Sequence, residues 1–217
     1  MVSERGSHFI SGCAVGNERI NTHNEMLEAL SSMCKSAGCR TVTEVKNTFL
    51  LQDPDNRTVP DISVSGLKAA NVVLDVKITE SDISNLTMAK AKNTQHAVLE
   101  GESQKDIKFR ASVMAQGKLF IPASISTSGG FGPKFKVFFG DLVKHSAEYN
   151  NIPPAALSIY WHRRFSVTLQ NALANCFFKH LGRANARVFR DESREGEVVI
   201  DQSYLGPASV SNRRGLD

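Results

Sequence analysis

A chain of 217 residues, 41% hydrophobic and 22% charged, can build one good core, or one core and a small appendage. It has no run of eighteen or more apolar residues, so no membrane span is expected, and "MVSERGSHFISGCAVGNERI" lacks the apolar centre of a signal peptide. The formal net charge of +4 (pI about 8.9) is mild, and an intracellular protein, or a domain of a larger intracellular one, is the expectation.

Residues 1–20 read as an irregular segment. Asn21 or Thr22 can cap a helix through "HNEMLEALSSMCKSAG", with Met26, Leu27, Leu30 and Met33 on one stripe and Gly38 ending it. "CRTVTEVKNTFLL" alternates like a strand, and "QDPDNRT" is a turn-rich break. Val59 to Ser65 reads as a short strand and "GLKAAN" as a turn. Val72 to Thr79 is a densely apolar strand, expected to be central in its sheet. A helix-prone region runs from Ser81 or Asp82 to Gly117, firmest in "SQKDIKFRASVMAQG". "KLFIPASIST" is a further strand, "SGGFG" a turn, and "PKFKVFFGDLVKHSAEY" a helix. After "NNIPP" a long helix is expected from Ala155 to Arg187, with Leu157, Tyr160, Trp161, Phe165, Leu169, Leu173 and Phe177 as its core stripe. The polar tail, 191–217, has a candidate strand at Glu197 to Ile200. This order implies an α/β fold, a mixed sheet with helices on both faces, in a single domain over 21–190.

Charge is unevenly distributed. From Tyr149 to Arg190 there is no Asp or Glu, whereas Arg163, Arg164, Lys179, Arg183, Arg187 and Arg190 are basic. An ordinary solvated helix face mixes both signs, so the one-signed stretch points to a polyanion. The four cysteines, Cys13, Cys34, Cys39 and Cys176, contain no C-x-x-C pair and read as free thiols rather than zinc ligands, even with His8 near Cys13.

The chemistry concentrates in "VPDISVSGLKAANVVLDVKIT". Strand alternation puts Asp75 and Lys77 on one face, roughly 7 Å apart, with Leu74, Val76 and Ile78 on the other. If 59–65 and 72–79 form an antiparallel hairpin, Asp61 comes level with Asp75. Two buried carboxylates repel and need something positive between them, and their oxygens suit Mg²⁺ or Mn²⁺. Such a metal binds phosphate oxygens, activates water and stabilises a leaving oxygen; a neighbouring lysine orients or deprotonates the water and offsets phosphate charge. Metal-dependent phosphodiester hydrolysis is the chemistry these residues propose. The plain alternative is an Asp–Lys ion pair at a sheet edge.

Pro60-Asp61 and Asp75-Val76-Lys77 resemble the signature of the PD-(D/E)xK nuclease superfamily, which includes type II restriction enzymes and archaeal Holliday-junction resolvases. The resemblance implies a restriction-endonuclease-like fold: a helix, an antiparallel meander, a second helix and a further strand, with extra C-terminal helices here. "THNEMLEAL", "VPDISV", "VVLDVKIT", "KDIKF", "LFIPASISTSGGFG" and "YWHRRFSVTLQNALA" are similar to the restriction-like endonuclease domain at the C-terminal end of site-specific non-LTR retrotransposon polyproteins. The likeness covers roughly Asn21 to Arg187. It implies a DNA endonuclease with Asp61 and Asp75 as metal ligands and Lys77 as a catalytic group. A third carboxylate would fall at Glu25, the preferred position, or at Glu28 or Glu44. Asp75 stands where many members have Glu, and the cysteines and histidines that would complete the zinc motif preceding the domain in those retroelements are not seen in this sequence, so that motif is either absent or lies outside it.

Further candidates are DNA contacts. His23 sits near a helix N-terminus, where phosphate is favoured. Lys105 and Lys108 share a helix side, Lys90 and Lys92 are weaker, and Arg163 and Arg164 lie in the basic helix. "TSGGFGPK" lacks the G-x-x-x-x-G-K-[ST] pattern of a nucleotide-binding loop, and no Ser/His/Asp nucleophile motif is present. DNA is the expected partner, within a homo-oligomer or a parent polyprotein, and a nuclear location follows for a eukaryotic retroelement. The rival expectations are an inactive nuclease-fold binding module and a nuclease for RNA or branched DNA.

Overall fold

Met26, Leu27, Leu30, Met33 and Cys34 recur at the helical period, and all are buried in helix α1 (Glu18–Ser36). The computed structural model describes residues 18–43, 59–67, 71–79 and 95–192, beyond Lys179 chiefly as helical backbone. The helix starts ahead of Asn21 and Thr22, the expected caps, because Glu18 and Arg19 are good helix formers; Thr22 is buried within it. It ends in a left-handed turn. Gly38 has φ +76, its N–H bonds to the Lys35 carbonyl, and the Cys39 N–H bonds to the Cys34 carbonyl. A Cβ on Gly38 would meet the Tyr149 ring at 2.7 Å, so glycine is required for both conformation and space.

Four strands follow: β1 (Arg40–Thr43), β2 (Ile62–Ser65), β3 (Val72–Thr79) and β4 (Leu119–Ser126). They form one sheet in the order β1-β2-β3-β4, antiparallel from β1 to β3, with β4 parallel to β3. β3 is therefore interior, as its apolar run predicts. The second strand is shorter than expected, starting at Ile62 rather than Val59. Continuing the observed register, in which Ile62 faces Leu74, Pro60 would face Val76. Proline has no N–H to give the ladder, so pairing stops there.

Helices cover both faces of the sheet. Val72, Leu74 and Val76, with Ile62, Val64, Ala123 and Ile125, join α1, helix α3 (Pro133–Asn150) and the start of helix α4 (Pro154–Glu192) in the main core. Phe135, Phe138, Phe139 and Leu142 of α3 meet Trp161, Phe165 and Leu169 of α4 there. On the opposite face, helix α2 (His96–Met114) packs Phe109 and Val113 on Val73 and Phe120. This helix starts well before its firmest stretch. Tyr160 and Phe177, expected in the α4 core stripe, are 51% and 43% exposed. Both are rotated away from the side carrying Trp161, Phe165 and Leu169.

The chain divides into two compact units, one ending at Phe178 and one beginning at Lys179. The boundary lies within α4. Among the described residues no helix is long and apolar enough to cross a membrane. Cys34 and Cys39 are free thiols, and they and Cys176 are buried. Cys13, His8, Glu44, Lys90, Lys92 and the tail strand at 197–200 lie outside the described residues.

Candidate functional site

One further step of the β2–β3 register sets Asp61 level with Asp75. Asp61 lies at the open end of β2, where its Oδ2 accepts the Val76 N–H at 2.6 Å. A backbone N–H of a strand lies in the plane of the sheet, so Asp61 supplies a side-chain acceptor to β3 just beyond the last ladder pair, Ile62 with Leu74. The Pro-Asp pair thus ends a strand and caps its neighbour.

Asp75 sits on the α2 face between Val73 and Lys77, and is 2% exposed. Its carboxylate is ion-paired with Lys105 of α2. Burial, and then the negative charge of Asp61, push the Asp75 carboxyl up to about 6; Lys105 and His23 oppose the rise. That value lies beyond the usual spread of aspartates in folded proteins, and the cause is specific: a nearly dry acid beside another acid.

His23 shares the helical period of the core stripe. It lies four residues before Leu27 and seven before Leu30, on the sheet-facing side of α1. Its Nε2–H donates to Asp61 Oδ2 at 3.0 Å, and its Nδ1 lies 3.3 Å from Asn24 Oδ1. Both ring nitrogens face oxygen acceptors, which favours the doubly protonated ring. The hydrogen bond to Asp61 is the main reason the His23 pKa rises, against the opposing effect of burial.

Lys77 shares the Asp75 face, as alternation requires, and its Nζ donates to Gln104 Oε1 of α2. Adjacent residues of α2, Gln104 and Lys105, therefore engage Lys77 and Asp75. Lys108 is exposed, with its ammonium 5.0 Å from the Phe109 ring centre. Of the two α2 lysines expected at DNA, the structure takes Lys105 into the carboxylate cluster and leaves Lys108 outside it.

Glu25 is placed differently from expectation. Two residues along a helix is about 200° of rotation, so Glu25 points away from the side that carries His23. Among the described residues nothing links Glu25 to Asp61 or Asp75, and the charges acting on Asp75 are those of Asp61, Lys105 and His23. Glu28 is exposed on the flank of α1. Among the described residues no group of three or more His, Cys, Asp or Glu side chains is gathered for a metal ion. The oxygen donors that the fold does bring level are Asp61 and Asp75.

Arg163 and Arg164 lie on the outer face of α4 with Ala156, Ile159, Tyr160 and Val167. Arg164 donates to the Tyr160 hydroxyl at 3.1 Å and lies 5.5 Å from the Trp161 ring centre. No protein-family model matches the chain, and comparison with curated proteins finds no match.

Proposed function

We propose that the chain is a metal-dependent endonuclease of the PD-(D/E)xK type that hydrolyses DNA phosphodiester bonds, serving as the target-cleaving domain of a retroelement polyprotein. The observation that carries this reading is the nearly dry Asp75, level with Asp61 at the end of one hairpin, with lysines on the α2 side. The helix, antiparallel meander, helix and parallel strand succeed one another in the order such a fold requires.

The donor set fits Mg²⁺ or Mn²⁺. Asp61 and Asp75 offer carboxylate oxygens, and a buried acid pushed up by a second acid is relieved by a cation. Mg²⁺ is commonly held by one or two carboxylates, with water and substrate phosphate completing its shell, so two suffice. When bound, the ion supplies Lewis-acid activation of water and phosphate. The chain's own residues do the rest. The Val76 N–H and His23 both hold Asp61 Oδ2 and fix that carboxylate's orientation. Gln104 steadies the Lys77 ammonium on the Asp75 face, where it offsets negative charge developing on the phosphate. The Arg163–Arg164 face of α4 binds phosphate backbone away from the reacting bond.

A second reading, a binding module on a nuclease fold, is favoured by the pairing of each carboxylate with a protein cation: Asp61 with His23, Asp75 with Lys105. Cleavage of plasmid, single-stranded and branched DNA, and of RNA, with Mg²⁺, Mn²⁺ or EDTA, separates them. Metal-dependent cutting is expected for DNA. Asp61→Asn, Asp75→Asn and Lys77→Ala should each lower the rate by at least about a hundredfold while leaving DNA binding in place. A triple variant that cuts at the wild-type rate sinks the mechanism. DNA binding without cutting in either metal establishes the second reading.

A further inference from the structure

We propose that Lys105 is a built-in competitor for the divalent cation at Asp75, so that α2 sets the metal affinity of the site. The inference rests on the metal-dependent reading above.

Asp75 is a single acid, with a side chain 3% exposed, and the Lys105 ammonium is paired to its Oδ2. A dication bound by the same carboxylate would lie within a few ångströms of that ammonium. Water is scarce there, so their repulsion is weakly screened. One of the two must yield, and the protein cation is the movable one. The Lys105 side chain is 23% exposed, which leaves its tip a way out to solvent. It also has a second seat nearby, since its Nζ is already 5.5 Å from the Phe109 ring centre.

Lys77 is held differently. Its ammonium is engaged by the neutral amide of Gln104. The two lysines thus divide their duties: Lys77 stays beside the carboxylate, and Lys105 covers it. Lys105 is a positioning residue in this scheme, acting on metal occupancy through Asp75.

The test titrates the full-length chain with Mn²⁺ alone, without DNA, following free Mn²⁺ by electron paramagnetic resonance at about pH 8. Lys105→Met and Lys105→Gln should bind Mn²⁺ about tenfold more tightly than wild type, the scale of one weakly screened charge repulsion. Lys118→Met removes the same charge without touching Asp75 and should stay within about twofold of wild type. Asp75→Asn should lose the binding. Far-UV circular dichroism checks that α2 is retained, and the Gln variant keeps a polar tip should the Met variant unfold. Binding measurable only in the Lys105 variants also supports the proposal. If wild type binds in an Asp75-dependent way and the Lys105 variants bind equally or more weakly, the competition is overturned and the metal reading stands. If no variant shows Asp75-dependent binding, both fall.

Discussion

Asp75 and His23 make the stability of the protein depend on pH in the same direction. The Asp75 carboxyl is raised from an ordinary value near 4 to about 6, so the unfolded chain ionises first as pH rises. Stability therefore falls between about pH 4 and about pH 6, by on the order of 2 kcal/mol, and stays reduced above. His23 is raised above its ordinary 6.5 by its bond to Asp61. Its contribution is fully present below that value and disappears as pH climbs through the folded pKa. Urea unfolding at about pH 4.5 and about pH 8 should show wild type losing roughly 2 kcal/mol relative to Asp75→Asn. A pH-independent difference between the two would contradict the burial of an ionised Asp75. The Asp75–Lys77 pairing on one face was legible, since strand alternation alone dictates it. The Lys105 contact was not, because no local period links residues on a strand and a distant helix.

At the scale of elements, α2 is the piece on which the site depends. It lies close on the sheet because Gly101 faces Ser124 and Thr79. A Cβ there would stand 2.4 Å from Ser124 Oγ and 2.7 Å from Thr79 Cγ2. Gly101→Ala should cost about 1–3 kcal/mol by overpacking and lower cleavage as well, since Gln104 and Lys105 move with the helix. Equal loss of stability with unchanged turnover would show that the α2 position is not critical to the site. The same helix caps another. Buried Glu102 accepts the Lys134 N–H at 2.9 Å and the Phe135 N–H at 3.3 Å, at the start of α3. Removing it in Glu102→Ala leaves both donors unpaired, and chemical unfolding should register about 1–3 kcal/mol of destabilisation. Helix periods and turn residues announced α3 and β4 in the sequence. Capping by a residue from another helix has no local signature at all.

For the molecule as a whole, charge placement matters more than net charge. The acid-free stretch from Tyr149 to Arg190 runs through α4, where Arg163 and Arg164 are exposed on the outer face. A double Arg163→Ala, Arg164→Ala variant should weaken DNA binding at every sequence tested. It should also reduce the slope of log affinity against log salt by about 2, one for each phosphate that is no longer neutralised. An unchanged slope would place the DNA elsewhere. Thermal stability should barely change, because neither guanidinium is in the core.

The sequence by itself determined the strands, the helices and the alternation that puts Asp75 with Lys77, because these follow from periods of two and 3.6 along a continuous chain. It also placed a strand at Val59 to Ser65, of which the structure keeps Ile62–Ser65. Only the tertiary structure decided which groups complete the cluster. Glu25 and His23 are two residues apart on one helix, and a rotation of about 200° sends one of them to Asp61 and the other away. Lys105 reaches Asp75 because α2 crosses the face of β3, an arrangement set by the packing of Phe109 and Val113 on Val73 and Phe120. Those long-range contacts depend on how whole faces fit together, which no short window of sequence contains.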